Sequence, residues 1–384
     1  SYKTSKSQML LMLISFVREY IYMLKMNQQM DKFTSWPGVI EYYRDRLPIS
    51  ENEEVVTLLE GNTPLILAPY LSKLVQANVY IKYEGLNPTG SFKDRGMTMA
   101  VTKAKAEGKK VLICASTGNT SAALSAYATR ANIPSVIVIP EGKLALGKLA
   151  QAYMCGAHVI QIKGNFDDGL KVVRQLSEIE TVGIMNSVNP YRLQGQKTAS
   201  FEICDALGQA PDQHFIPVGN AANIAAYWLG YKEYFDDKVT SNLPQMRGIQ
   251  ADGSAPFVHG NPVSNPKTIA TAILIGAPAS YDLAVSARDD SGGSITAETD
   301  DEILYAYKLL AQHEGIFVEP ASAASIAGIL KAHKNKEIKK DSIIVATVTG
   351  HGLKDPGTAT KDIEIPTPMD ANIDEIMKVI DTLI

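Results

Sequence analysis

Between Val111 and Ser187 the chain runs through short apolar stretches, polar loops and helix-like stretches in regular alternation. Positions 111–114 form an apolar run, followed by a Ser/Thr/Gly/Asn loop and a predicted helix over 121–131. The run 135–139 precedes a predicted helix over 143–155, and the run 159–162 precedes one over 166–179, before a last run at 182–185. Unbroken β-branched runs that alternate with helices predict a parallel sheet covered on both faces, an α/β layer domain. A second α/β region opens after Arg192, with a predicted helix over 196–207, a strand over 215–218 and a helix from Ile224. Further on, 246–251 and 343–348 read as strands, and 300–313 as a helix opened by the capping box Thr299-x-x-Glu302. Positions 253–266, rich in Gly, Pro, Ser and Asn, read as a long loop near a possible site.

Composition narrows the function. The 384 residues are 45% hydrophobic and 20% charged, as in ordinary globular chains, and the length suggests two or three domains. The 41 acidic and 37 basic residues nearly cancel, so there is no basic field suited to nucleic acid. Cys114, Cys155 and Cys204 are far apart and form no Cys-x-x-Cys pair, which reads as buried thiols in a reducing cytoplasm. The apolar run 9–17 resembles a signal core, but it is far short of the ~20 residues of a membrane span and is followed by Arg18, Glu19 and Lys25. Residues 1–30 are therefore expected to be an extension outside the family pattern, of which 1–25, upstream of Met26, are dispensable and form at most a marginal amphipathic helix.

Candidate chemistry is concentrated at strand ends. In Pro88-Thr89-Gly90-Ser91-Phe92-Lys93-Asp94-Arg95-Gly96, glycines bracket a lysine between a turn and a helix start. A partly desolvated amine there can condense with an aldehyde and carry protons. Ser116-Thr117-Gly118-Asn119-Thr120-Ser121 joins a strand to a helix and offers hydroxyls, an amide and free N–H groups to a carboxylate or phosphate. Gly219-Asn220-Ala221-Ala222-Asn223 repeats that arrangement, with a helix dipole suited to a phosphate. Thr349, beside Gly350-His351-Gly352, places a hydroxyl at the carboxyl edge of a strand. Asn186, Ser187 and Arg192 form a donor set that suits a phosphorylated substrate, and Lys148 adds charge. Taken singly, Lys93 fits a solvated turn, 116–121 an N-cap and Thr349 a turn beside glycines. The six histidines are dispersed, and the chain has no phosphate-binding Gly-x-x-x-x-Gly-Lys-[Ser/Thr], no Gly-x-Gly-x-x-Gly and no Gly-x-Ser-x-Gly.

Together, segments 60–65, 90–97, 116–121, 186–196, 216–223 and 349–356 resemble, in order and spacing, the threonine synthases of the fold-type II, tryptophan synthase β-like pyridoxal-phosphate enzymes. The resemblance runs from Trp36 to about Pro356. It implies an α/β fold of two open, mostly parallel twisted sheets covered by helices. A large cofactor domain would comprise 31–84 and 188–384, and a small α/β domain 85–187. It implies pyridoxal 5'-phosphate held as a Schiff base on Lys93, its ring oxygen bonded by Asn119, its phosphate cradled by Gly219, Asn220, Ala221, Ala222 and Asn223, and its ring nitrogen faced by Thr349. Ser116, Thr120, Lys148, Asn186, Ser187, Arg192 and Asn220 would bind a small-molecule substrate's phosphate and carboxylate. The implied reaction turns O-phospho-L-homoserine and water into L-threonine and phosphate, in a cytoplasmic homodimer without nucleic-acid or membrane partners and without a metal. Ala222 departs from a frequent glycine, so a positive backbone angle there would be disfavoured; the loop is expected to tolerate it. Two rivals stand beside this reading: a threonine or serine dehydratase of the same fold, which usually carries a run of consecutive glycines for the cofactor phosphate that is missing here, and a non-catalytic binding protein that keeps the fold.

Overall fold

The computed structural model describes residues 35–383 apart from 143–145, 165, 177 and 362, and leaves aside the side chains of 146–148, 166 and 167. The expected extension over 1–30 lies outside the described residues. Two sheets organise the molecule. The larger contains β1 (Leu65–Leu67), β2 (Asn78–Tyr83), β7 (Gln213–Pro217), β8 (Gln245–Ala251), β9 (Ser294–Glu298) and β10 (Ile343–Val348). Its spatial order is β1-β2-β10-β7-β8-β9, parallel throughout except for β1, which pairs antiparallel with β2 at the edge. The smaller contains β3 (Val111–Ala115), β4 (Ser135–Pro140), β5 (His158–Ile162) and β6 (Val182–Ile184), all parallel, in the order β5-β4-β3-β6.

Burial follows from this topology. The central strands β7 and β10 are covered on both faces, and β10 reads as a nearly continuous apolar run, whereas β7 also buries the polar Gln213 and His214. One face of the large sheet packs on the Ala-rich helix Ala324–Lys334, whose small side chains allow close approach, and on helix Asp300–Glu314. The opposite face meets helices Pro190–Leu207 and Ala222–Asp236, where Phe201, Tyr227 and Tyr231 are buried. A separate core around Leu112, Tyr127 and Ile137 fills one side of the small sheet.

Most elements fall where the hydrophobic pattern predicts them, with informative differences. The helix expected over 196–207 begins at Pro190, because Asn189 caps it by accepting from the Tyr191 N–H at 3.0 Å and proline occupies the first turn. The helix expected from Ile224 begins at Ala222. The long loop over 253–266 contains a helical turn, Pro256–His259. The capping box of Thr299 and Glu302 is formed. Cys114 and Cys204 are buried as expected, whereas Cys155, just beyond helix Leu146–Met154, is only half-buried. Among the described residues no helix is long and apolar enough to cross a membrane.

The carboxyl ends of β2, β3, β6, β7 and β10 converge on the region between the sheets. The Lys93 loop is fastened there to the end of β10: the Phe92 N–H donates to the Thr349 carbonyl at 3.0 Å, and the His351 N–H to the Gly90 carbonyl at 2.9 Å. Gly90 has φ +86, a conformation that side-chain-bearing residues rarely adopt, so the turn needs glycine at this point. Asp94 closes the same turn by accepting from the Thr89 N–H at 2.7 Å and from its hydroxyl.

Candidate active site

Lys93 is the first residue of helix Lys93–Ala106, aimed into a cleft of about 2240 Å³. Its Nζ lies 4.4 Å from the centre of the Phe92 ring. Desolvation first, and then the Arg192 charge, lower its pKa to about 7, while the Glu319 carboxylate opposes them. Near neutral pH a large share of this amine is therefore unprotonated and nucleophilic, which an ordinary solvated lysine is not.

The cleft wall brings together Lys93, Ser116, Asn119, Thr120, Asn186, Ser187, Arg192 and Asn220, which the chain carries on four separate segments. Ser116 accepts from the Gly118 N–H at 3.2 Å, shaping the loop ahead of helix Asn119–Ala131. That helix has no capping side chain, so its first N–H groups are open to an anion. Asn186 is buried, accepting from the Ala115 N–H and donating one Nδ2 hydrogen to the Ala115 carbonyl, each at 3.0 Å, which ties the end of β6 to β3. Asn220 accepts from the Ala279 N–H at 3.3 Å. Lys148 lies on helix Leu146–Met154, its side chain outside the described part.

Arg192 is 2% exposed, and among the described residues no carboxylate pairs with it. One Nη donates to the Met185 carbonyl at 3.2 Å, while Nε has no partner. Burial lowers its pKa to about 10, yet it stays cationic at neutral pH. A buried cation beside a lysine, without a counter-charge, is costly unless an anion enters the cleft.

At the end of β7 the backbone of Gly219 runs close under Ile273, where a Cβ would come within 3.1 Å of the Ile273 Cα. The positive angle expected to burden Ala222 falls on Ala221 instead, with φ +70, and Ala222 is already helical. Ala221 is the N-cap and has no side chain to offer, which leaves the first turn of helix Ala222–Asp236 uncapped. Asn223 accepts from Gln196 Nε2 at 2.9 Å, and its own Nδ2 is buried without a partner. Thr349 is buried, its hydroxyl 3.0 Å from that of Ser322.

Three participants carried no recognisable sequence signal. Glu319, ahead of the short 3₁₀ turn Pro320–Ala323, accepts from Asn119 Nδ2 across the cleft. Lys354 reaches from beyond β10 to Gln151 on helix Leu146–Met154. Arg95 anchors the Lys93 helix in a buried charge cluster. An acid before proline, or a charge in a helix, is too common a pattern to single out.

The family described as "Pyridoxal-phosphate dependent enzyme" matches residues 56–350. A threonine synthase of Mycobacterium leprae is 58% identical over 347 residues, covering 90% of this chain and 96% of the relative. One of Halalkalibacterium halodurans is 59% identical over 332 residues, covering 86% and 94%. The chain belongs to the threonine synthases. As a member of that pyridoxal-phosphate dependent family it is an enzyme, a lyase, with pyridoxal 5'-phosphate as its cofactor. The processed form of threonine deaminase isoform 2 from Solanum lycopersicum superposes with a TM-score of 0.67 at 23% identity, covering 89% of this chain and 87% of that one. That likeness concerns the fold-type II architecture alone.

The residues of this threonine synthase fit the cofactor. An uncapped helix start, a close-running glycine backbone and the partnerless Asn223 amide together suit a phosphate, and the lysine of depressed pKa suits an aldehyde. Aldehyde capture needs the neutral amine, so the rate at which the cofactor-free protein takes up pyridoxal 5'-phosphate should rise with pH through about 7 and level off above it. Visible absorbance followed from pH 5.5 to 9 checks this; a rate still climbing steeply at pH 9 would mean an unperturbed lysine.

Proposed function

We propose that this threonine synthase converts O-phospho-L-homoserine and water to L-threonine and phosphate, with its cofactor attached to Lys93 and a substrate phosphate gripped by Arg192. The observation that carries the reading is the buried, unpaired Arg192 on the cleft wall near Lys93. Threonine or serine brings only a carboxylate, which the uncapped helix start behind Ser116–Thr120 can accept. A second cationic subsite calls for a second anionic group on the substrate, and arginine suits phosphate through paired hydrogen bonds.

Pyridoxal phosphate, when bound, supplies an aldehyde carbon and a ring that draws electrons away from the substrate's α-carbon. Lys93 would hold it covalently, the backbone from Gly219 to Asn223 would seat its phosphate, Asn119 would donate to its ring oxygen and Thr349 would face its ring nitrogen. In the catalytic role, Lys93 Nζ takes a proton from the substrate and returns one, for which a pKa near neutrality is well matched. Ser187, Thr120 and Asn220 line the same cleft and would orient the substrate, together with Lys148. The active site would lie between a small domain over 85–187 and a large one over 31–84 and 188–384, in a cytoplasmic homodimer. Light scattering tests the dimer.

Purified protein given O-phospho-L-homoserine should release phosphate and threonine in equal amounts, and should yield little 2-oxobutyrate from L-threonine. Oxobutyrate from L-threonine without phosphate from the phosphorylated substrate would replace this reading with a dehydratase. Arg192→Gln should raise KM for O-phospho-L-homoserine by roughly 10- to 100-fold, the usual worth of charge-assisted hydrogen bonds. Steady-state kinetics checks this, and an unchanged KM would remove Arg192 from the phosphate subsite.

A further inference from the structure

We infer that Glu319 is a positioning residue whose carboxylate turns the Asn119 side chain so that its nitrogen, not its oxygen, is presented to the cofactor's ring oxygen. The inference rests on the proposed placement of Asn119 against the cofactor. Asn119 opens a helix that follows β3 of the small sheet, and Glu319 belongs to the segment that runs beside the end of β10 in the large one. The pair therefore spans the cleft, and both residues line it. Asn119 Nδ2 lies 3.0 Å from Oε1 and 3.1 Å from Oε2 of Glu319.

A side-chain amide has two nearly isosteric ends, one that donates and one that accepts. Left to itself, Asn119 could meet an oxygen of the cofactor with its own oxygen, which repels. An ionised carboxylate accepts only, so a carboxylate at this distance selects the orientation with nitrogen inward. That nitrogen carries two hydrogens. One serves Glu319 and the other is left for the ring oxygen.

Glu319 is itself held firmly enough to impose this choice. Its N–H donates to the Gly350 carbonyl at 3.0 Å, and its carbonyl accepts from the Ser322 N–H at 3.0 Å. Glu319 is 6% exposed. A Cβ on Gly350 would stand 2.5 Å from the Glu319 carboxyl carbon, so the residue after Thr349 must lack a side chain for the carboxylate to fit. Burial raises its pKa, and the Asn119 hydrogen bond opposes that shift, so the amide helps keep the carboxylate in its accepting form.

The test is a double-mutant cycle on the full-length holoprotein: Glu319→Gln, Asn119→Ala and the pair together. The readouts are the dissociation constant for pyridoxal 5'-phosphate and the visible absorbance maximum of the bound cofactor. Each single change is expected to weaken binding about tenfold and to move the band. The double variant should be no worse than Asn119→Ala alone, because glutamate then has no amide to orient. Fully additive losses, or an unmoved band in Glu319→Gln beside a moved one in Asn119→Ala, would overturn the inference and leave the cofactor placement standing. If Asn119→Ala itself changes neither readout, that placement fails along with it. Should Glu319→Gln not fold, the same cycle run with Glu319→Asp, which withdraws the acceptor by one methylene, is judged by the same criterion of coupling.

Discussion

Lys93→Ala, loaded with pyridoxal 5'-phosphate, should release phosphate from O-phospho-L-homoserine at least about a thousandfold more slowly than the unaltered protein, since one amine loses both a covalent and a proton-transfer role. The fold should survive. Lys93 is held in a setting that disfavours its charge, and its pKa falls from 10.5 to about 7. A folded-state pKa below the unfolded one means that the amine destabilises the cofactor-free protein most below pH 7, and that this cost vanishes as pH rises past 10.5. Removing it should leave the melting temperature at pH 7 unchanged or raised. Phosphate release and thermal unfolding, measured side by side, separate the two effects; near-normal turnover in a folded Lys93→Ala protein would remove the lysine from the chemistry.

What the sequence discloses here depends on how local the determining physics is. Strands β3, β4 and β10 are legible because a parallel strand buried on both faces must be a continuous apolar run, and helix Asp300–Glu314 is legible through its capping box. β9 and β2 are not. β9 is a half-exposed edge strand with Thr and Ser among its residues, and β2 carries Lys82, whose burial makes sense only beside Glu202, 120 residues away. The same limit applies to the site. Lys93, Asn119 and Thr349 sit in motifs that mark strand-to-loop junctions, so the chain announces them. Glu319 and Arg95 act only through partners brought near by the tertiary fold. The loop over 219–223 shows an intermediate case: its place between a strand end and a helix start is readable, but which alanine takes the left-handed angle is decided by where the helix starts.

Arg95→Met should cost about 3–5 kcal/mol of folding stability, because it strips one partner from a fully buried charge cluster. Arg95 is 1% exposed. Its Nε lies 2.7 Å from Glu84 Oε2, and its Nη1 and Nη2 lie 2.6 Å and 2.7 Å from the two oxygens of Glu202. Lys82 Nζ adds a 2.7 Å contact to Glu202, and the Thr63 and Thr198 hydroxyls fill the remaining positions. Without the guanidinium, two buried carboxylates share one ammonium. Function should suffer as well, since this cluster joins the Lys93 helix to helix Pro190–Leu207, which also carries Arg192. The pH dependence distinguishes charge from lost packing. Burial alone would raise the Glu202 pKa, but Arg95 and then Lys82 outweigh it and bring the carboxyl down to about 2. In the unaltered protein its stabilising contribution is therefore complete above about pH 4.5 and fades as pH falls toward 2. In Arg95→Met the balance shifts back toward burial, and protonation then relieves a buried charge. The stability gap between the two proteins should narrow as pH drops from 7 to 4. Urea denaturation across that range measures it, and a gap that stays constant would mean that packing, rather than charge, is what Arg95 supplies.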